Sequence, residues 1–216
     1  MPSKTIPCYY GSIELKVHTD DLLDASHDEH PYYWQIHAEA VLCTGEKRRT
    51  KVGGISFGVV LAGAAMDDGY DIIDQADAVD GDVYDFVATF YGQGKHGEAH
   101  RRWLEGNLEH WHEGVNALLV EHLWVEPKYR GRDIGVRMIK HVAMRYGSGC
   151  GLIALQAVPT VLVKPNEFGR DHSKESVEKL IRYYESIGFT RVPGSNWMVI
   201  DTAVSTPGRD VTQHDE

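Results

Sequence analysis

The residues with the most readable chemistry are Arg130-Gly131-Arg132-Asp133-Ile134-Gly135. Glycines let backbone N–H groups approach a ligand closely, and the arginines supply charge. A helix starting directly afterwards adds the positive end of its dipole, so the corner reads as an anion cradle for phosphate. His96 and His100 are four residues apart, a spacing that puts two imidazoles on one helix face as metal ligands require. With no HExxH and no cysteine nearby, the pair is read as part of a surface helix. It lies in the His/Trp-rich segment 93–114, which also holds Trp103, His110, Trp111 and His112, and whose Gly92, Gly94 and Gly97 mark it as a mobile connector. Cys8, Cys43 and Cys150 are too scattered for a disulfide framework or a metal site.

A strand and a helix must hold the corner. Leu118, Leu119, Val120, Leu123, Trp124 and Val125 form a mostly apolar run closed by Pro127, which suits a strand buried on both faces. After the corner, Ile134, Met138, Ile139, Val142 and Tyr146 recur near helical spacing until Gly147, Ser148 and Gly149 stop them.

This strand, corner and helix resemble motif A of the GCN5-related N-acetyltransferases, in which a strand ending Val-x-Pro leads to Arg or Gln, two residues, Gly, one residue, and Gly or Ala. Leu123-Trp124-Val125-Glu126-Pro127 matches the strand, and Arg130 and Gly135 match the ends of the pattern. Asp133 stands where the family has its middle glycine; turned away from the ligand, it would cap the helix beginning at Ile134. A second motif follows at Lys179-Leu-Ile-Arg-Tyr-Tyr-Glu-Ser-Ile-Gly-Phe189, where Tyr184, Gly188 and Phe189 match a family helix ending in Tyr, three residues, Gly, Phe. The resemblance covers residues 117–201. It implies an α/β (α+β) fold: a mixed, mostly antiparallel sheet of about seven strands flanked by helices, with a V-shaped splay between the strands at 117–126 and 151–158. It also implies acetyl-CoA as co-substrate, held by Leu123, Trp124, Val125, Arg130, Gly131, Arg132, Asp133, Ile134, Gly135 and Val136, and no metal. The Asn that relatives use near the start of the next helix is missing, since Ser173, Lys174 and Glu175 open it and Asn166 lies too early.

Acyl transfer from a thioester to an amine needs a neutral amine, a polarised carbonyl and a proton for the departing thiolate. A lysine-type amine has a reference pKa of ~10.4, so a base must take its proton or the site must lower that value. By the resemblance Glu121 is the first candidate base. Strand alternation puts it on one face with Leu123 and Val125, and a strand carboxylate paired with a nearby Arg or Lys is the alternative. His122 then points to the opposite face, and Glu126 is the third option. Tyr184 is the matching acid; because it also falls on the helix's apolar stripe, a core tyrosine is the alternative. Tyr183 is expected to pack or face solvent. A backbone N–H of Leu123–Val125 would polarise the carbonyl. Cys150 has no activating base near it in sequence.

The rest of the chain sets the context. Its 216 residues, 42% hydrophobic and 25% charged, fit one domain over 1–202, with 1–116 as an acceptor-side part, 117–202 as the acetyl-CoA core and 203–216 as a disordered tail. The N-terminus lacks a signal-peptide pattern, and the longest apolar run, Val59–Met66, is far short of the ~20 residues of a membrane span, so a cytoplasmic protein is expected. A net charge of −10 predicts cationic partners and excludes nucleic acid and anionic membrane. Ile13–Val17, Gln35–Cys43 and Val52–Leu61 read as strands, the last two joined by a turn at Thr44-Gly45-Glu46 beside the basic tip Lys47-Arg48-Arg49. Tyr32, Tyr33 and Trp34 are a packing cluster or a cleft wall. Eight aspartates between Asp67 and Asp85 accompany apolar spacing for two short helices divided near Gly81, with the carboxylates on a solvated face or orienting an amine. Gly151–Val158 is a second buried strand, Pro159–Asp171 an irregular stretch, Ser173 the cap of the next helix and Asn196–Asp201 the final strand.

The leading expectation is an acetyl-CoA-dependent N-acetyltransferase working by direct transfer in a ternary complex, its acceptor a small polycationic amine or a protein Lys or N-terminus. Strand-edge pairing into a homodimer is compatible with the resemblance. The alternatives are a non-catalytic acyl-CoA-binding or interaction module, and the same fold with an aminoacyl-tRNA donor, which the low basic content disfavours.

Overall fold

The computed structural model describes residues 12–18, 31–44, 48–92, 95–108, 116–164 and 167–202. Cys8, Gly45, Glu46, Lys47, Gly94, His110, Trp111, His112, Asn166 and the tail 203–216 lie outside the described residues, as does the side chain of His96.

Alternation builds the first half of the sheet. β1 (Ser12–His18), β2 (Tyr33–Thr44) and β3 (Arg48–Val60) form an antiparallel meander. Ile36, Ala38 and Ala40 of β2, with Ile55, Phe57 and Val59 of β3, enter one core, while Tyr33 and Val60 enter the other. Three helices follow rather than two: α1 (Ala62–Asp67), α2 (Ile72–Asp77) and α3 (Gly81–Phe90). The additional boundary comes from the aspartates themselves. The Asp71 carboxylate accepts the Ile73 N–H at 2.9 Å, and that of Asp80 accepts the Asp82 and Val83 N–H groups at 2.8 and 2.9 Å, so each caps its own helix start. The expected connector is in fact a helix, α4 (Lys95–Asn107). Its Gly97 serves packing: a Cβ there would lie 2.3 Å from the Gly92 carbonyl oxygen, so absence of a side chain lets α4 approach the end of α3.

β4 (Asn116–Val125) pairs antiparallel with β3, and after a 3₁₀ turn at Pro127–Tyr129 the chain enters α5 (Ile134–Tyr146). β5 (Cys150–Gln156) runs parallel to β4. The stretch read as irregular is a hairpin, β6 (Thr160–Lys164) and β7 (Glu167–Arg170), a separate two-stranded sheet. α6 (Lys174–Glu185), β8 (Thr190–Arg191) and β9 (Trp197–Asp201) complete the chain. The main sheet has seven strands in the order β1-β2-β3-β4-β5-β9-β8. α5 and α6 cover one face around Phe57, Leu118, Ile139, Ile153 and Ile181; α1 to α4 cover the other around Phe86, Phe90, Leu104, Leu119 and Leu152. Each of these buried side chains contributes about 1.5–3 kcal/mol. Ser173 holds the position before α6 without a side-chain cap bond; Asp171 instead accepts the Ser173 N–H at 2.9 Å. Hydrogen bonds from Ser176 and Ser173 hold the Asp171 carboxyl below its usual range.

One topological feature positions the site. The β4–β5 ladder runs from Asn116 opposite Cys150 to Val120 opposite Leu155 and stops, while β4 continues to Val125. From Glu121 onward the two strands diverge, as the expected splay requires.

Candidate active site

The splay begins at a β-bulge. Ser56 pairs with His122 and Phe57 with Val120, which leaves Glu121 as the extra residue in β4. A bulge sets two residues against one and re-aims their side chains. Glu121 therefore does not share a face with Leu123 and Val125, which pack toward the α5/α6 core with Val120. It points to the α1–α4 side, where all its partners lie. Its Oε1 accepts from the Tyr33 hydroxyl at 2.5 Å and Gln35 Nε2 at 2.9 Å; its Oε2 accepts from Ser56 Oγ at 2.5 Å and Gln35 Nε2 at 3.0 Å. Ser56 is only 8% exposed. The register with Ser56 brings His122 to this same side, not the opposite one. Burial first, and then the Glu121 carboxylate, push the Tyr33 phenol well above its usual range, so it is a fixed donor. Of the aromatic cluster, Tyr32 and Tyr33 are core, and Trp34 is exposed. Glu126 lies farther along, its N–H bonded to the Val52 carbonyl at 2.9 Å.

The anion corner sits at the far end of β4. Arg130 Nε donates to the Val125 carbonyl at 2.9 Å, while Lys128 and Arg132 lie over the Tyr129 ring at 5.0 and 5.7 Å. Gly131 has φ +74°. Asp133 occupies the N-cap position of α5 with left-handed φ 53° and ψ 21°, and its side chain makes no cap hydrogen bond, contrary to the capping role expected of it. Asp is among the few non-glycine residues that tolerate this region. The first turn of α5 leaves the N–H groups of Ile134, Gly135 and Val136 without helical acceptors. Ile134 and Val136 bury their side chains in the core. Gly135 faces a space bounded by Leu123, Tyr183 and Val125: a Cβ there would sit 3.5 Å from Leu123 Cδ2, 3.6 Å from the Tyr183 hydroxyl and 3.9 Å from Val125 Cγ2. The chain would tolerate a methyl, but that methyl would take up room beside the N–H groups a phosphate needs. The residues thus fit the pyrophosphate of an acyl-CoA. Trp124, on the other side of the strand, lies against Gly54 with Lys51 Nζ 5.3 Å over its ring.

α6 brings two tyrosines to this region with different surroundings. Tyr184 is 5% exposed, in T-shaped contact with Phe189 at 5.7 Å, and burial raises its phenol above the usual range. Tyr183, expected to pack or face solvent, packs half-buried against the core, with its hydroxyl beside the Gly135 corner. The motif match singled out Tyr184 and passed over the neighbouring Tyr183, whose hydroxyl is the one beside the corner. At the mouth of the splay, Gln156 donates to Asp85 at 2.8 Å, and Arg170 ties together Gln156, at 3.2 Å, and Asp82. Nothing in the sequence pattern marked this network, because its members come from α3, β5 and β7. Burial pushes the Cys150 thiol up to about 11, and a thiol so seldom ionised is a poor nucleophile. Among the described residues no group of three or more His, Cys, Asp or Glu could hold a metal ion, and no helix is long and apolar enough to cross a membrane.

No protein-family model and no curated protein matches the sequence. Among solved structures the chain is similar to the KacTA–DNA complex, at 10% identity over 78% of this chain and 69% of that one, with a TM-score of 0.36. It is also similar to AtaTR bound with AcCoA, at 11% identity over 88% and 94% with a TM-score of 0.39. Against the apo form of an agmatine N-acetyltransferase mutant the identity is 16% over 76% and 75%, with a TM-score of 0.35. At these scores the likenesses say nothing about what this chain acts on. The exclusion of nucleic acid drawn from net charge is withdrawn, since one of these structures is a DNA complex. A charge of −10 is a sum over the whole surface, and it leaves Lys128, Arg130, Arg132 and Arg137 clustered at one corner. The strand order, the parallel β4–β5 pair splaying after Val120 and the glycine corner opening α5 give this chain the fold of the GCN5-related N-acetyltransferases.

Proposed function

We propose that the chain is an N-acyltransferase that moves an acetyl group from acetyl-CoA to an amine by direct transfer in a ternary complex. The observation that carries this reading is the left-handed backbone at Asp133, which keeps the turn of a glycine corner although the glycine is gone. That turn would leave the first N–H groups of α5 available beside Gly135, close to Leu123 and Val125 of the β4 edge that β5 does not pair. Arg130, Gly131, Arg132 and the N–H groups of residues 134–136 would hold the pyrophosphate. The edge of Leu123, Trp124 and Val125, which β5 does not pair, would bind the pantetheine arm and polarise the thioester carbonyl. Tyr184, kept protonated by burial, would donate to the departing thiolate. Glu121 would present its carboxylate to the acceptor amine.

Isothermal titration of acetyl-CoA into the wild type and Gly135→Glu tests the reading. Binding by the wild type, lost in the variant, supports it and calls for thiol release to be followed with amines. A wild type that binds no acetyl-CoA overturns it. Binding without turnover on any amine leaves a non-catalytic acyl-CoA module.

A further inference from the structure

We infer that His122 takes the proton from the acceptor amine, while Glu121 acts as a fixed carboxylate whose charge holds the ammonium; this rests on the amine-acyltransferase reading above. The argument starts from the lone pairs of Glu121. A carboxylate has about four acceptor sites. Glu121 accepts two hydrogen bonds on each oxygen, from Tyr33 and Gln35 on one and from Ser56 and Gln35 on the other. To take a substrate proton Glu121 must give up one of these three donors: losing the exposed Gln35, whose one Nε2 spans both oxygens, unfastens the clamp, and losing Tyr33 or Ser56 leaves a buried hydroxyl unsatisfied, a costly state. Its charge, unlike its lone pairs, remains available: among the described residues it joins no ion pair.

The bulge supplies the alternative base. By register His37 of β2, Ser56 of β3 and His122 of β4 form one row across the floor of the sheet, and Glu39, Gly54 and Trp124 form the next. His122 is half-buried on the face of Glu121, next to it in the chain. The charged or titratable groups on this floor are Glu121, Tyr33, His37, Glu39 and Lys51, with Lys16 and His18 of β1 opposite Glu39 and His37. Lys51 is already paired with Glu39 at 2.5 Å. From the helices, Asp80 and Asp82 are close enough for their charges to act on Tyr33. An imidazole in such a setting is the most suitable group for proton transfer near neutral pH. Of the ammonium's three protons, one passes to a ring nitrogen of neutral His122 and on to water. The freed amine lone pair forms the C–N bond to the acetyl carbon, the C–S bond breaks with its electron pair on sulfur, the second proton ends on that thiolate, and the third stays in the amide.

The test uses the full chain with acetyl-CoA and spermidine or a Lys-containing peptide, reading thiol release, acetyl-CoA binding by calorimetry and thermal unfolding for the wild type, His122→Gln, His122→Gly and Glu121→Gln. The inference expects His122→Gln to lower kcat/KM by about 10²–10⁴-fold with acetyl-CoA affinity and Tm unchanged. Added imidazole should restore part of the rate of His122→Gly, and Glu121→Gln should act mainly on the KM for the amine. His122→Gln as fast as the wild type, or His122→Gly without rescue by imidazole, overturns the assignment while leaving the acyltransferase reading intact. A wild type that binds acetyl-CoA but acetylates neither amine defeats that reading, and this assignment with it.

Discussion

Gly58→Ala tests whether Glu121 is held as described. Gly58 lies beneath the Tyr33 ring as that side chain crosses from β2 to Glu121 on β4. A Cβ at position 58 would fall 2.1 Å from the Tyr33 hydroxyl oxygen, 2.2 Å from Cζ and 2.3 Å from Cε2, where real Cβ contacts essentially never come under 3.0 Å. Tyr33 is 8% exposed and cannot swing outward without leaving its core. Overpacking of this kind costs about 1–3 kcal/mol. The displaced hydroxyl forfeits a charge-assisted hydrogen bond, a further loss of about 1.5–3 kcal/mol. Against these stands a gain of about 0.5–1 kcal/mol from replacing glycine in a strand. The clash wins, and a net loss of about 2–5 kcal/mol should lower Tm by roughly 5–15 °C. Urea unfolding and calorimetry read the loss directly. The double variant Tyr33→Ala/Gly58→Ala has neither the clash nor a second loss of the hydroxyl's bond, so its destabilisation should fall short of the sum of the single ones by about 2.5–6 kcal/mol. A Gly58→Ala protein with wild-type Tm, or strictly additive losses, would refute the reasoning and with it the anchored position of Glu121.

Other outcomes follow from single observations. Asp133→Gly removes a side chain from a left-handed position, so stability should rise by about 1 kcal/mol, and losing a carboxylate beside the corner should tighten acetyl-CoA binding in a titration. Val at the same position should lower both. Tyr184→Phe should reduce turnover while keeping acetyl-CoA binding, whereas Tyr183→Phe should weaken binding without a matching fall in Tm; the reverse pattern would exchange their roles. Cys150 titrates at about 11 against 9.0 for a free thiol. The folded chain therefore holds this proton longer than the unfolded one, and stability is lost as pH rises through that window. At 1.36 kcal/mol per unit the loss is about 2–3 kcal/mol. The pH dependence of urea midpoints should be shallower by that amount between pH 9 and 11 in Cys150→Ala, and equal slopes would contradict the burial argument.

Much of this architecture was readable from local patterns because the patterns are set locally. Period-two runs gave β1, β2 and β3, and the helical spacing of Ile134, Met138, Ile139 and Val142 gave α5, because in each case one face meets an apolar core. Reading failed where a residue's role depends on a partner distant in sequence. Asp71 and Asp80 looked like solvated charge but end as caps, which added a helix boundary. Gly97 looked like part of a connector, yet its missing side chain lets α4 meet the end of α3 at Gly92. The β6–β7 hairpin and the Arg170–Asp82–Gln156 network are long-range pairings without any local period to announce them.

The two departures at the candidate site share a physical cause. Strand alternation assumes an uninterrupted ladder; a single extra residue at Glu121 breaks it and places Glu121 and His122 on one face while Leu123 resumes the other. An inserted residue of this kind is invisible in a list of residue types, since no composition marks it. The motif misleads in the opposite direction. A glycine in the pattern stands for a backbone conformation as well as for an absent side chain, and Asp133 meets the first condition at φ 53° while failing the second. What the proposed phosphate site needs is access to the N–H groups of residues 134–136, and at Gly135 even a Cβ would already touch Leu123, the Tyr183 hydroxyl and Val125. Asp133 therefore weakens the electrostatics of the corner without dismantling its geometry. The same logic makes Gly135, rather than position 133, the place where a side chain should abolish binding.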